Sequence, residues 1–253
     1  MAIIGINGKI SSGKDTVGQI IQYLVCESKD TLAPYQKFED LVKQIQEFGL
    51  APISNKIQSG WEIKKFAGKL KEIAALLTGC TIEQLEDQEF KKLDVGPDWG
   101  MTYRELLQKL GTEAMRNGLH TNVWVNALMA DYHIASNKSM DESFKEQFLT
   151  GRSEIHYKFP NWIITDMRFP NELEAIKAKD GITIRVNRNS YPTERDDIKL
   201  TQRAETFLSG NIPEHESETA LDDAKFDYVI DNNGTIEDLI QKVKVILVKE
   251  DII

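Results

Sequence analysis

Gly8-Lys9-Ile10-Ser11-Ser12-Gly13-Lys14-Asp15-Thr16 lies between a short apolar run, Ala2-Ile3-Ile4-Gly5-Ile6, and a segment carrying Val17, Ile20, Ile21 and Leu24 at helical spacing. The order reads as strand, glycine loop, helix. Gly8 and Gly13 let the backbone turn with no Cβ in the way, so successive N–H groups can face one anion. The helix that begins near Gly13 adds its positive dipole end. Lys14 then supplies a mobile ammonium for the β- and γ-phosphates of a nucleoside triphosphate. One position departs from the general pattern. The Ser or Thr expected after the lysine, ordinarily a Mg²⁺ ligand, is Asp15, with Thr16 behind it. Asp15 could hold the metal directly or through water, and Thr16 could give the hydroxyl instead.

The bulk properties narrow the partners. The chain has 253 residues, 41% hydrophobic and 28% charged, with a formal net charge of −9. That composition is globular, and the length suits one large α/β domain spanning residues 1–253. Excess negative charge argues against a broad footprint for nucleic acid or anionic membrane. Cys26 and Cys80 form neither a disulfide framework nor a zinc spacing and read as buried free thiols, as in a reducing cytoplasm. With no apolar run long enough to span a bilayer and no leader ahead of the first strand, a cytoplasmic location is expected.

Further along, core strands are expected near 2–7, 61–66, 162–166, 182–186 and 227–231, separated by helices. That order implies a parallel sheet with helices on both faces. Residues 31–60 and 137–160 read as insertions. Lys64, Lys65, Lys69 and Lys71 cluster at a strand-to-helix junction, the ligand-facing edge of such a sheet. Thr81 with Gln84, and Thr102 with Glu105, look like helix-opening capping boxes. Arg104 and Gln108 are four apart and share a face, so they can reach one ligand together; a surface salt bridge is the plainer reading of Arg104. Gly111-Thr112 is expected to interrupt that helix, and Trp124 to sit in the core.

Asn161-Trp162-Ile163-Ile164-Thr165-Asp166 is the second strong signal. An apolar run ending in an acid puts a carboxylate at the carboxyl end of a buried strand, where phosphate-transferring proteins place one for Mg²⁺ or the attacking oxygen. Arg168 follows, and Pro170 opens a helix with Glu172 in its first turn. Alternatively, Asp166 and Arg168 pair only with each other. Residues 187–216, with Arg188, Arg195, Arg203 and His215, are polar and aperiodic. They read as a lid whose arginines close on a transferring phosphoryl group, or as an ordinary excursion.

Taken jointly, these motifs resemble the deoxynucleoside monophosphate kinases of tailed bacteriophages, within the P-loop nucleoside monophosphate kinase-like fold. The resemblance rests on residues 8–16; Arg104 to Thr112 as Arg-Glu-Leu-Leu-Gln-Lys-Leu-Gly-Thr; Trp124-Val125; Asp166-Met167-Arg168; His215-Glu216-Ser217-Glu218; and Val229 to Gly234. It implies a three-layer α/β/α P-loop domain with helical acceptor-binding insertions and a lid. The implied activity is transfer of the ATP γ-phosphoryl to a deoxynucleoside monophosphate, with Mg²⁺ bridging the phosphates. The implied ATP site is Gly8, Ser11, Ser12, Gly13, Lys14, Asp15 and Thr16, with Asn232 and Gly234 near the adenine and Asp15 and Thr16 handling the metal. Arg104, Gln108, Gly111, Thr112, Trp124, Asp166, Arg168 and Glu172 would surround the acceptor. Lys14, Asp166, Arg168 and Arg188 would carry the chemistry. The implied partners are small nucleotides, and the sequence leaves a homodimer open. A neighbouring reading is a kinase of the dephospho-coenzyme A type, in which Asp166 would be a base for a sugar hydroxyl. A more distant one is a nucleotide-switch ATPase.

Overall fold

The computed structural model describes residues 2–27, 60–133, 135–136, 157–188 and 216–253. Most of the first insertion, residues 137–156 of the second, and the lid from 189 to 215, with Arg195, Arg203 and His215, lie outside the described residues.

Five strands form one parallel sheet: β1 (Ile3–Asn7), β2 (Trp61–Lys64), β5 (Asn161–Ile164), β6 (Ile182–Asn187) and β7 (Tyr228–Asp231), in the spatial order β2-β5-β1-β6-β7. Each neighbouring pair is parallel. Two short strands, β3 (Ala135–Ser136) and β4 (Tyr157–Lys158), pair antiparallel at the two ends of the second insertion. The sequence order alternates strands with α1 (Lys14–Glu27), α2 (Gly68–Thr78), α3 (Ile82–Glu86), α4 (Tyr103–Gln108), α5 (Val123–Met129), α6 (Pro170–Lys177), α7 (Glu216–Thr219) and α8 (Ile236–Lys249).

Side chains alternate across a strand, so each strand feeds two cores. Ile4, Ile6, Ile163 and Ile184 point to the layer built by α1 and α8, meeting Val17, Ile20, Leu239 and Val243. Ile3, Trp162 and Ile164 point the other way, to Trp124, Val125 and Leu128 of α5 and Ile176 of α6. Each fully buried side chain of this size is worth roughly 1.5–3 kcal/mol over an exposed one. A third small cluster of Ala74, Leu85 and Tyr103 stabilises the helical region beside the sheet. This is the three-layer α/β/α arrangement of P-loop kinases.

Local signals hold the helices in register. The capping boxes Thr81–Gln84, Thr102–Glu105 and Thr235–Asp238 are all formed, at about 1 kcal/mol each. Gly79, with φ 75°, ends α2 in the left-handed conformation.

The structure also corrects several expectations. The chain is not interrupted at Gly111-Thr112; α4 runs on as a π-helix over Lys109–Asn117. Gly111 within it lets Leu70 pack close, since a Cβ there would come within 2.9 Å of Leu70 Cδ2. Strands β2 and β5 stop two residues before the expected ends at Phe66 and Asp166, which puts both residues in loops at the sheet edge. Strand β7 starts at Tyr228 rather than 227. Cys80 is a thiol only half-buried, with Thr78 Oγ1 3.0 Å from its Sγ. Among the described residues, no helix is long and apolar enough to cross a membrane.

Candidate active site

Parallel strands send all their following loops to one edge, and at β1 the chain order reverses on either side, which opens a crevice there. The loops after β1, β2 and β5 therefore converge. Residues 8–13 follow β1 and wrap tightly: Ser12 N donates to Lys9 O at 3.1 Å, and Val17 N to Gly13 O at 2.9 Å begins the helix. Ser11 and Gly13 have φ of 65° and 93°, a region that disfavours any side chain at Gly13. A Cβ on Gly8 would come within 2.3 Å of Ser12 Oγ, so the loop closes this tightly only around a glycine. Ser12 Oγ itself is buried and has no hydrogen-bond partner among the described residues. A buried hydroxyl left this way costs free energy unless an anion or another acceptor meets it.

The turn after β7 supports this loop from behind. Asn232 Nδ2 donates to Ser12 O at 2.8 Å, and its own N–H donates to Asn187 O at 2.7 Å. Asn232 thus braces the peptide of the glycine loop, a role beside the expected place of its turn near the donor adenine. Gly234 lies over Asp238 of the α8 capping box. Lys14 reaches back to Lys9 O at 3.4 Å. Burial, and then the Arg168 cation, lower its pKa from the ordinary lysine value. Asp15 stands exposed in the first turn of α1; its Oδ1 accepts from Thr165 Oγ1 at 2.8 Å and lies 3.8 Å from Lys65 Nζ. Arg188 is exposed just beyond β6.

Beside the loop opens a cavity of about 340 Å³. Arg104, Gln108, Gly111 and Thr112 line it from α4 and its π-helical continuation, and Trp124 from α5. Asp166, Arg168 and Glu172 line it from the β5–α6 connection, so the expected acceptor residues are brought together around one space. Phe66, Leu70, Leu107 and Phe169 add apolar wall. Trp124 is fixed by its indole N–H, which donates to Gly111 O at 2.9 Å.

Asp166 is not paired with Arg168. Its carboxylate accepts from the backbone N–H groups of Phe66 and Ala67 at 2.8 and 2.9 Å, locking the loop after β2 to the loop after β5. Burial raises its pKa, against the pull of those two amides. Arg168 instead donates to Glu218 of α7, with Ser217 Oγ 3.5 Å away. Glu172 is buried and accepts from the N–H groups of Arg168 at 2.7 Å and Phe169 at 3.1 Å, closing the start of α6. Arg116 Nη2 donates to the same carboxylate at 2.9 Å, and its guanidinium lies 3.7 Å from the Phe169 ring centre. Burial drives the Glu172 pKa up to about 7, with nearby Asp166 adding and the amides and Arg116 opposing.

Of the four clustered lysines, only Lys71 lines the cavity. Lys64 pairs with Glu62 at 2.7 Å, and Lys69 with Asp131 at 3.4 Å. Lys65 bridges Asp15 and Glu86. Sequence reasoning missed Arg116 and Lys91, both cavity-lining. Arg104, Gln108, Thr112 and Arg116 recur every four residues, the one signal that could have found Arg116. On a regular helix such a stripe drifts sideways; the π-winding takes more than four residues per turn and reverses the drift.

The arrangement can do two things side by side. A turn of backbone donors and Lys14 suits a chain of phosphates, and the neighbouring cavity suits a ligand with a flat apolar body and an anionic end.

No known protein-family model matches the chain. Over 195 residues, covering 73% of this chain and 81% of the relative, it is 27% identical to a protein of Acanthamoeba polyphaga mimivirus named "Putative deoxynucleotide monophosphate kinase".

Proposed function

We propose that this protein is a nucleotide kinase that transfers the γ-phosphoryl group of ATP to a deoxynucleoside monophosphate, giving the diphosphate and ADP. The observation that carries the reading is the adjacency of the phosphate loop to a cavity walled by Phe66, Trp124 and Phe169 and edged by Arg104 and Arg168. The name of the mimivirus relative supports the same acceptor class.

In this mechanism ATP lies with its phosphates over residues 8–16, and the monophosphate occupies the cavity. An acceptor phosphate oxygen attacks the γ-phosphorus while the bond to the β-γ bridging oxygen breaks, and ADP leaves. That oxygen is already a competent nucleophile, so the protein needs no strong base. Its contribution is alignment and charge neutralisation. Lys14, with Arg168 close enough to depress its pKa, stands where the two phosphate groups would meet. Ser12 Oγ and the loop amides take donor oxygens, and Trp124, Phe66 and Phe169 exclude water that would otherwise compete. Arg188, beyond the end of β6, is the arginine assigned to the lid.

The residues also fit Mg²⁺. That ion keeps several waters and takes one or two carboxylates plus phosphate oxygens. Asp15 offers an exposed carboxylate beside the phosphate loop, with Thr16 next to it. When bound, the ion would offset charge between the phosphates. The dephospho-coenzyme A alternative needs Asp166 as a base, and the two backbone donors already engaging that carboxylate weigh against it.

Incubation with ATP, Mg²⁺ and each of the four deoxynucleoside monophosphates, followed by separation of the products, tests the reading. Formation of a deoxynucleoside diphosphate and ADP in equal amounts is expected. ADP release that is independent of any acceptor, or turnover only with dephospho-coenzyme A, would overturn it.

A further inference from the structure

Lys91 has a placement unusual for a lysine in a polar loop. It sits in the 3₁₀ turn Phe90–Lys92, between α3 and α4, and lines the cavity next to Arg104. The turn is fixed on both sides. Phe90 N–H donates to Asp87 Oδ1 at 2.6 Å, and the Phe90 ring packs on Tyr103 with centroids 4.6 Å apart. Tyr103 N–H in turn donates to Leu93 O at 3.0 Å. Lys91 and Arg104 each follow one ring of that aromatic pair, so its packing delivers both cations to the same wall.

The local charges do not balance. Lys71 pairs with Glu86, which Lys65 also contacts at 3.3 Å. Lys91 has no ion pair among the described residues, and Arg104 donates only to the neutral Gln88 Oε1, at 3.1 Å. Two half-exposed or exposed cations therefore face one cavity with no carboxylate in contact with either; Glu86, whose charge reaches Lys91, is already shared by Lys71 and Lys65. Burial comes first, and then Lys71 and Arg104, in lowering the Lys91 pKa; the crowding is repulsive as the protein stands. A doubly charged anion bound between them would relieve that repulsion and gain charge-assisted hydrogen bonds.

We infer that Lys91 is a second substrate-binding cation, which grips the phosphate of the acceptor monophosphate together with Arg104. This rests on the reading of the cavity as the acceptor site, and deepens it. Arg104 supplies a planar fork and Lys91 a point charge, so together they hold a tetrahedral dianion from two directions. Lys71, committed to Glu86, sets the field around them.

The test uses the intact protein and the variants Lys91→Gln and Lys91→Arg. Calorimetric binding is measured without ATP for the four deoxynucleoside monophosphates and for the matching nucleosides, which lack the phosphate. Lys91→Gln is expected to weaken monophosphate binding by about tenfold or more, to leave nucleoside binding unchanged, and to be largely rescued in Lys91→Arg. In turnover the acceptor KM should rise by the same factor, with the ATP KM unchanged. Equal losses for monophosphate and nucleoside, or no loss for either, would overturn the assignment. Wild-type protein that binds a monophosphate but never phosphorylates it would overturn the kinase reading and leave Lys91 standing. Binding of none of the four would overturn both.

Discussion

The glycine loop after β1 and the cavity beside it are built in opposite ways. The loop is one unbroken stretch whose shape follows from local needs: left-handed backbone at Ser11 and Gly13, close approach at Gly8, and a helix start just behind. The cavity draws on loops and helices far apart in the chain, joined through buried polar contacts such as Asp166 to Phe66 and Ala67, and Glu172 to Arg116. The loop should therefore respond to substitution mainly in chemistry, and the cavity in both binding and stability.

The largest effect is expected at the loop. Lys14 makes no salt bridge among the described residues, so Lys14→Ala should lower turnover by at least about 10²–10³-fold while leaving the thermal midpoint nearly unchanged. Steady-state kinetics and a melting curve on the same preparation check this. A large drop in midpoint would mean that the loop, too, is a structural assembly.

The cavity is expected to show a pH signature that the loop lacks. Glu172 carries a native pKa of about 7 against an ordinary 4.5. The folded protein thus binds a proton more tightly than the unfolded chain between those values. Stability from this group is complete below about pH 4.5 and is lost as pH rises through about 7, on the order of 3 kcal/mol in total. Denaturant titrations from pH 4.5 to 8 should show that slope in the wild type and a shallower one in Glu172→Gln, where the raised Asp166 carboxyl is left to act in the same direction. The comparison uses slopes, because leaving Arg116 without its carboxylate will lower stability at every pH.

Arg104→Ala should then raise the acceptor KM by about 10–100-fold, the range of a lost charge-assisted hydrogen bond, with little change in the ATP KM. A loss confined to ATP would reverse the assignment of the two sides. The smallest effect on activity is expected for Trp124→Phe, which keeps an aromatic wall but removes the indole bond to Gly111 O and part of the buried ring. Roughly 1–3 kcal/mol of stability should go, with an acceptor KM within about threefold of wild type.

The same contrast explains what the sequence disclosed. The glycine loop, the strand ending near Asp166 and the capping boxes are local patterns with local causes, and they could be read directly. Of the eight residues expected around the acceptor, spacing alone pointed only to Arg104 and Gln108, four apart on one helix face; the full set followed from the resemblance of the motifs to a known family, and all eight line one cavity. Arg116 escaped because the recurrence of polar residues every fourth position from Arg104 keeps one face only with the π-winding from Lys109, and a regular helix would have turned it aside. The bracing contact of Asn232 could not be read: it reaches Ser12 O across 220 positions, and only the order of β1, β6 and β7 in the sheet brings the two together. Lys91 drew no attention in the sequence, because the Phe90–Tyr103 packing that aims it is tertiary.

The central claim is that two phosphorylated molecules lie end to end across these two regions. A compound joining adenosine to a deoxynucleoside through five phosphates tests it in one binding experiment. If the claim is right, the compound binds at least about 100-fold more tightly than ATP, and either Lys14→Ala or Arg104→Ala removes most of that advantage. Binding no tighter than ATP alone, or an affinity insensitive to Arg104→Ala, would contradict it.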